Sequence, residues 1–316
     1  MDFKKTPLSQ SLITKFFRKG EVRVNVCPKN LYHLHIIKTH QYTTESMRNG
    51  HFFETLCIGR GSGGQKQNDL PRKKLLKAKE LENIKRASLK LPLLLGDKTA
   101  DQQRIEQQAQ RFKILCSKYQ ITPLEGNTQT RIVIPWHKNP DIHLKMEFDI
   151  FPTAIMTDER IKDSLTDTGL RIAIIDIKLT ADLNSTYGEF QWGSPEYMDH
   201  TQGHMYHYGA RQIVKHIDMN PHMINILTRN VIDLISVNNL NFYYWVFNYK
   251  KEQLEDKLIK VDWNPNVEHE LHELINKTVN LIEENEALGW PVNPIYQICR
   301  ECPVFECQSR QTVQSV

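Results

Sequence analysis

The stretch Arg171-Ile172-Ala173-Ile174-Ile175-Asp176-Ile177-Lys178-Leu179 is an apolar, β-branched run broken by two opposite charges. Such a run predicts a buried strand, here Leu170–Leu179. Side chains at i and i+2 share one face of a strand, so Asp176 and Lys178 emerge together. Burying a charge is costly unless it is paired or bound to metal. An acidic residue two positions before Lys occurs three times: Asp2-Phe3-Lys4, Asp176-Ile177-Lys178 and Glu255-Asp256-Lys257. Of these, the middle one lies inside an apolar run.

Working outward, Arg131–His137 and His143–Pro152 read as two more strands. Asp149 lies in the second, flanked by Phe148, Ile150 and Phe151. Neighbouring strands can bring Asp149 and Asp176 to one place. Two carboxylates completed by a substrate phosphate suit Mg²⁺ or Mn²⁺. The metal acidifies its bound water, and a lysine can orient that water or neutralise developing phosphorane charge. A structural Asp176–Lys178 ion pair explains the same residues, and periodicity leaves the two readings level.

Helices are expected over 6–18, 45–58 and 99–118, the last with Ile105, Ala109, Phe112 and Cys116 at helical spacing. Residues 71–90 read as a basic helical segment and 59–70 as a polar Gly-rich loop. That loop contains Gly59-x-Gly61-x-x-Gly64, but a helical pattern precedes it where a dinucleotide site needs a strand. Further on, 195–216 and 221–235 read as helix, 241–250 and 258–263 as strands, and 267–284 as a last helix. The expected fold is α/β: a central mixed β-sheet flanked by helices, in a single domain spanning 1–316. Residues 1–120 would be mostly helical and basic, 121–290 the α/β core, and 291–316 a cysteine-rich tail.

Composition narrows the function classes. The chain has 316 residues, 40% hydrophobic and 25% charged, with a net charge of +4. Collagen, low-complexity disorder and disulfide scaffolds are excluded. The charge is unevenly spread: residues 1–100 hold 20 Lys and Arg against 8 Asp and Glu, so +12 faces −8 in the remainder. A basic front suggests a polyanionic partner. No run approaches the roughly 18 apolar residues of a membrane span. A soluble, cytoplasmic protein is expected, without a membrane partner. Its six cysteines would then be thiols or metal ligands.

Cys299-x-x-Cys302-x-x-x-x-Cys307 places three cysteines in nine residues, a strong local metal signal. A tetrahedral site needs a fourth ligand, and Cys27 is the natural candidate. Cys57 and Cys116 lie on apolar helical faces and read as core. His200, His204 and His207 have i, i+4, i+7 spacing but lack the glutamate of a metalloprotease helix. One or two of them are expected on the substrate-facing side of their helix. Tyr243, Tyr244, Trp245 and Phe247 read mostly as core.

Asp149 followed by Asp176-x-Lys178 resembles the PD-(D/E)XK nuclease superfamily, and the surroundings resemble its RecB-like branch. Gly50-x-x-x-Glu54 matches the branch's Gly-x-x-x-His motif, with Glu54 in the metal-ligand position. Gln202-Gly-His-Met-Tyr206 matches its Gln-x-x-x-Tyr motif. Two departures stand out: no proline precedes Asp149, and Asp176 stands where Glu is common. The layout of Cys27-Pro28 upstream and a cysteine triad downstream is similar to the iron–sulfur members. So is Ser9-x-Ser11-x-x-x-x-Phe16.

The resemblance implies a metal-dependent deoxyribonuclease, an exonuclease acting in DNA recombination, repair or processing. It implies Mg²⁺ or Mn²⁺ held by Glu54, Asp149, Asp176 and the Ile177 carbonyl. Lys178 would assist the attacking water, and Gln202 and Tyr206 would position DNA. It also implies a [4Fe–4S] cluster on Cys27, Cys299, Cys302 and Cys307, with structural Zn²⁺ as the rival on the same sulfurs. A catalytically inactive DNA-binding module and a zinc-stabilised interaction protein stay open as alternatives. So do recombination or replication protein partners, the strand preference and the oligomeric state.

Overall fold

The computed structural model describes residues 2–23, 26–38, 44–59, 99–119, 121, 128–151, 172–188, 190–227, 229–236, 240–250, 253–293, 299, 302, 304 and 307. The basic segment 71–90 and the Gly-rich loop from residue 60 onward lie outside these residues.

The architecture is mixed α/β, a central six-stranded sheet covered by helices on both faces. Its strands are β1 (Leu8–Ser9), β4 (Thr128–Trp136), β5 (Asn139–Ile150), β6 (Ile172–Thr180), β7 (Leu240–Asn248) and β8 (Asp256–Val261). β4 and β5 form an antiparallel hairpin with Thr128 opposite Ile150 and Ile134 opposite Leu144. β6 and β7 run parallel over nine residue pairs, from Ile172↔Leu240 to Thr180↔Asn248. β8 closes the far edge antiparallel to β7.

Residues 6–18, expected as one helix, are divided in three. β1 pairs in parallel with β5 through Leu8↔Leu144. Helix α1 (Gln10–Phe16) follows, then β2 (Phe17–Arg18), which pairs with β3 (Glu21–Val22). The turn between them has φ of 51° at Lys19 and 78° at Gly20, the positive pair that a tight hairpin demands.

The remaining helices are α2 (Pro28–Leu31), α3 (Glu45–Ile58), α4 (Ala100–Lys118), α5 (Thr201–Gln212), α6 (Arg229–Ser236) and α7 (Pro265–Ala287). α4 starts at a full capping box, Thr99 and Gln102 exchanging hydrogen bonds with each other's backbone. On one face of the sheet α1, α5 and α7 bury Leu144, Met146, Phe148, Ile174, Phe242 and Tyr244. On the other, α3 and α4 cover Ile175, Ile177, Trp245 and Phe247. β7 is therefore buried on both sides, as its near-continuous apolar sequence requires.

α5 lies flush on the sheet because it carries glycines. A Cβ at Gly209 would stand 2.1 Å from Met146 Sδ, and one at Gly203 3.0 Å from the Phe242 ring. Among the described residues no helix is long and apolar enough to cross a membrane.

Candidate active site at the fork of two strands

β5 and β6 are joined, among the described residues, by the single pair Ile150↔Ile175. Ile150 also pairs with Thr128, and Leu144 with both Ile134 and Leu8. β6 and β1 therefore share one edge of β5, and the two long strands part beyond this pair, on the side where Asp149 precedes Ile150 and Asp176 follows Ile175. With no strand partner there, the Ile177 amide donates to Asp149 Oδ2 at 2.8 Å. The fork is held open and bridged by a carboxylate.

Asp176 and Lys178 share a face of β6 and form an ion pair through Oδ2. The Asp176 side chain is 3% exposed and that of Lys178 25%, so the lysine forms the solvent-facing end of the pair. Gln202, the second residue of α5, donates from Nε2 to Asp176 Oδ1 at 2.9 Å. Glu54 enters from α3 and is buried. Its Oε1 accepts from Gln129 Nε2 at 2.5 Å. Gln129 adopts φ of 51°, a left-handed conformation unusual for a residue with a side chain. Such strain concentrates where a side chain must be aimed.

The electrostatics follow from crowding charges in a dry place. Burial pushes all three carboxyls above their ordinary range. For Asp149 the neighbouring Asp176 and Glu54 add to the rise, and Lys178 and the Ile177 amide oppose it. Burial works to lower the Lys178 ammonium, but Asp176, Asp149 and Glu54 together overcome it and raise it. Three carboxylates facing one ammonium leave an excess of negative charge that a cation would relieve.

Tyr206 is 5% exposed, packed against Phe148 and Phe242. Burial first, then Asp176 and Asp149, hold its phenol un-ionised, while the Gln202 side chain and the Glu147 backbone interact with it. It buttresses Gln202 from behind. Ile177 contributes its amide to Asp149, and its side chain is buried on the opposite face.

The oxygen donors of Glu54, Asp149 and Asp176 are hard ligands suited to Mg²⁺ or Mn²⁺. Among the described residues no three His, Cys, Asp or Glu side chains are gathered as a metal-binding group. The oxygens here are held by Lys178, Gln202, Gln129 and the Ile177 amide instead.

Cys27, Cys299, Cys302 and Cys307 are all buried free thiols. Burial raises the Cys302 thiol, and Cys27, Cys307 and Cys299 each add to the rise, which places the four as electrostatic neighbours. The flanking chain is stitched beside them. Lys29 N donates to Pro291 O at 3.3 Å, Asn293 Nδ2 to Val26 O at 3.1 Å, and Tyr32 stacks on Trp290 at 5.1 Å. The four buried thiols come from distant segments and influence one another, but among the described residues they are not gathered as a metal-binding group.

Cys57 of α3 and Cys116 of α4 are buried in the core. Burial lifts the Cys116 thiol to about 12. The three histidines at the start of α5 and within it occupy different surroundings. His207 is 3% exposed, lies flat on Trp263 at 4.6 Å and is 2.9 Å from Leu240 O through Nε2. His204 meets the same Trp263 ring edge-on, and His200 Nε2 is 2.9 Å from Pro195 O. Gln202 of this helix reaches Asp176 at the fork, with Tyr206 beside it. Gln129 is the site residue the sequence did not reveal; a glutamine at a strand's first turnings carries no marker, because its role depends on one backbone angle.

No protein-family model matches this sequence, and no curated protein matches it. Among solved structures, a candidate exonuclease from Eubacterium rectale is similar over 98% of this chain and 88% of its own, with a TM-score of 0.48 and 14% identity.

Proposed function

We propose that the protein is a metal-dependent deoxyribonuclease, an exonuclease of the RecB-like, iron–sulfur PD-(D/E)XK kind. The observation that carries this reading is the convergence of Glu54, Asp149 and Asp176 around Lys178 at the strand fork. Bound there, Mg²⁺ or Mn²⁺ would acidify a water and neutralise charge on the phosphate.

The chain's own residues do the rest. Asp149, fixed by the Ile177 amide, and Asp176, fixed by Gln202, present oxygens from opposite sides of the fork. Lys178 would exchange its bond to Asp176 for the attacking water or the scissile phosphate. Glu54 would complete the oxygen set, steered by Gln129. Gln202 and Tyr206 act as one unit, so positioning of DNA falls to Gln202 and support to Tyr206. Cys27, Cys299, Cys302 and Cys307 would hold a [4Fe–4S] cluster as a structural clasp.

The test is digestion of end-labelled single- and double-stranded DNA with Mg²⁺, Mn²⁺ or EDTA. Metal-dependent cutting that Lys178→Ala abolishes is expected. Equal cutting by Lys178→Ala and wild type would overturn the mechanism, and absence of cutting under either metal would favour a binding module. Anaerobically purified protein should be brown; colourless protein carrying zinc would replace the cluster with Zn²⁺.

A further inference from the structure

The loop joining β6 to α5 links the two elements that carry Asp176, Lys178 and Gln202. It also holds aromatic rings out to solvent. Tyr187 is 84% exposed, Tyr197 60% and Phe190 40%. Exposed rings on a slack loop would fold inward to escape water, but this loop is locked. Gly193 donates its amide to Ser185 O at 2.8 Å and lies so close to Asn184 that a Cβ would stand 2.4 Å from its carbonyl oxygen. Arg18, from the β2–β3 hairpin, donates to Gly188 O at 2.6 Å. The Lys257 ammonium of β8 donates to Trp192 O at 2.5 Å.

One of these rings, Phe190, begins a connected series that leads toward the fork. Phe190 is stacked on the buried Trp192 at 5.1 Å and 6°, which leaves its outer side free. Trp192 meets Tyr244 edge-on at 5.8 Å. Tyr244 is the register partner of Asp176 on the neighbouring strand. The series therefore rests on the same face of the sheet as the Asp176–Lys178 pair. Cations border it: Arg18 beside Gly188, and Lys19 with its ammonium 5.6 Å from the Tyr197 ring. Two of the loop's four acids, Asp182 and Asp199, are turned onto backbone amides, and Glu196 stays exposed next to Tyr197. Asp182 accepts from Asn184 N, and Asp199 from Lys19 N and Thr201 N.

Rigid exposed rings with cations at their margin are what unpaired nucleotides require. Every base has a π-face to stack, and the backbone seeks positive charge. A duplex keeps its bases stacked on one another and gains little from such rings. We propose that Tyr187, Phe190 and Tyr197 form a stacking platform for single-stranded DNA, which leads an unpaired strand to the fork and gives the enzyme a single-strand preference. This rests on the nuclease reading above.

The test measures binding rather than cleavage. The full-length protein is titrated, in EDTA, against fluorescein-labelled oligo-dT and against a blunt duplex, with anisotropy as the readout. Wild type should bind oligo-dT more tightly than the duplex. Tyr187→Ala and Phe190→Ala should each weaken oligo-dT binding about five- to a hundredfold, leave duplex binding unchanged, and melt at the wild-type temperature. Tyr187→Trp should restore binding. Oligo-dT binding unchanged in both alanine variants overturns the platform, as does a wild type that prefers the duplex. Neither result touches the nuclease reading, which the Lys178→Ala digestion decides separately. A wild type that cuts no DNA and binds neither probe overturns both, and assigns the exposed rings to a protein partner.

Discussion

β6 is joined to its two neighbours in opposite ways. Against β7 it is paired along its whole length, nine residues in unbroken parallel register. Against β5 it touches, among the described residues, at one pair and then departs. The paired side buries Tyr243, Trp245 and Phe247 and carries no ionised side chain in β7. The open side collects Asp149, Asp176 and Lys178. The difference is one of unmet hydrogen bonds. A strand that leaves its partner exposes backbone amides, and an amide with no carbonyl opposite can be satisfied by a carboxylate. The Ile177 amide is satisfied in this way. The zipped side supplies the stiffness that lets the other side stay open.

The sharpest way to break this contrast is to strike the open side where it acts. Lys178→Ala should lower metal-dependent DNA cleavage by about 10²–10⁴-fold, the range for loss of a positioned proton-handling group, well beyond the loss of folded fraction that follows from leaving Asp176 without its buried partner. Comparable truncation on the zipped side should do the reverse. Trp245 is fully buried against Phe112 and Phe247 and donates to Asp256 Oδ2 at 2.8 Å. Trp245→Ala should cost about 3–5 kcal/mol in a denaturant titration, and any residual activity should scale with the folded fraction.

A third probe uses acid. His207 ties α5 to the start of β7, and burial holds its imidazole down at about 4 from 6.5. Its folded pKa lies below its unfolded one, so the fold favours the neutral ring. That stability is present above pH 6.5 and is lost as the pH falls toward 4. The loss should reach about 3 kcal/mol. His207→Gln should flatten this part of the stability-against-pH curve; an identical slope in wild type and variant would remove the role.

The smallest effect concerns the excess of carboxylates. Burial and like charge raise Asp149, so its ionised form works against folding at neutral pH, and that cost grows as the pH rises. Asp149→Asn keeps an oxygen for the Ile177 amide while removing the charge. In EDTA it should be about 1–2 kcal/mol more stable than wild type, yet cut DNA far more slowly. Lower stability in the variant would mean that the charge is already compensated within the fold.

The sequence was informative where a pattern repeats. Strand β6, helices α3 and α4 and the core strand β7 follow from periodicity, and the helix bearing Gln202 and Tyr206 lies inside the expected 195–216 but begins only at Thr201. The i, i+2 spacing of Asp176 and Lys178 correctly placed both on one face. Short pieces were illegible: β1 has two residues, too few for any alternation, so residues 6–18 read as one helix. The fork itself was also hidden, because strand separation depends on what does not pair. The burial of His207 was not legible, because a polar residue on a helix carries no mark of the Trp263 ring that covers it. Gln129 left no trace, since its contribution lies in a backbone angle.

β1 has a further consequence, for the order in which the molecule is made. Leu8 and Ser9 leave the ribosome well before the edge they must join, Leu144–Lys145. Chain growth is slow compared with local folding, so the first segment waits with Leu8, Leu12 and Phe16 uncovered. Until it docks, the edge of β5 below the fork is bare and can recruit a foreign strand. The two-residue strand is thus a late closure for the sheet, and its loss would surface first as aggregation during synthesis.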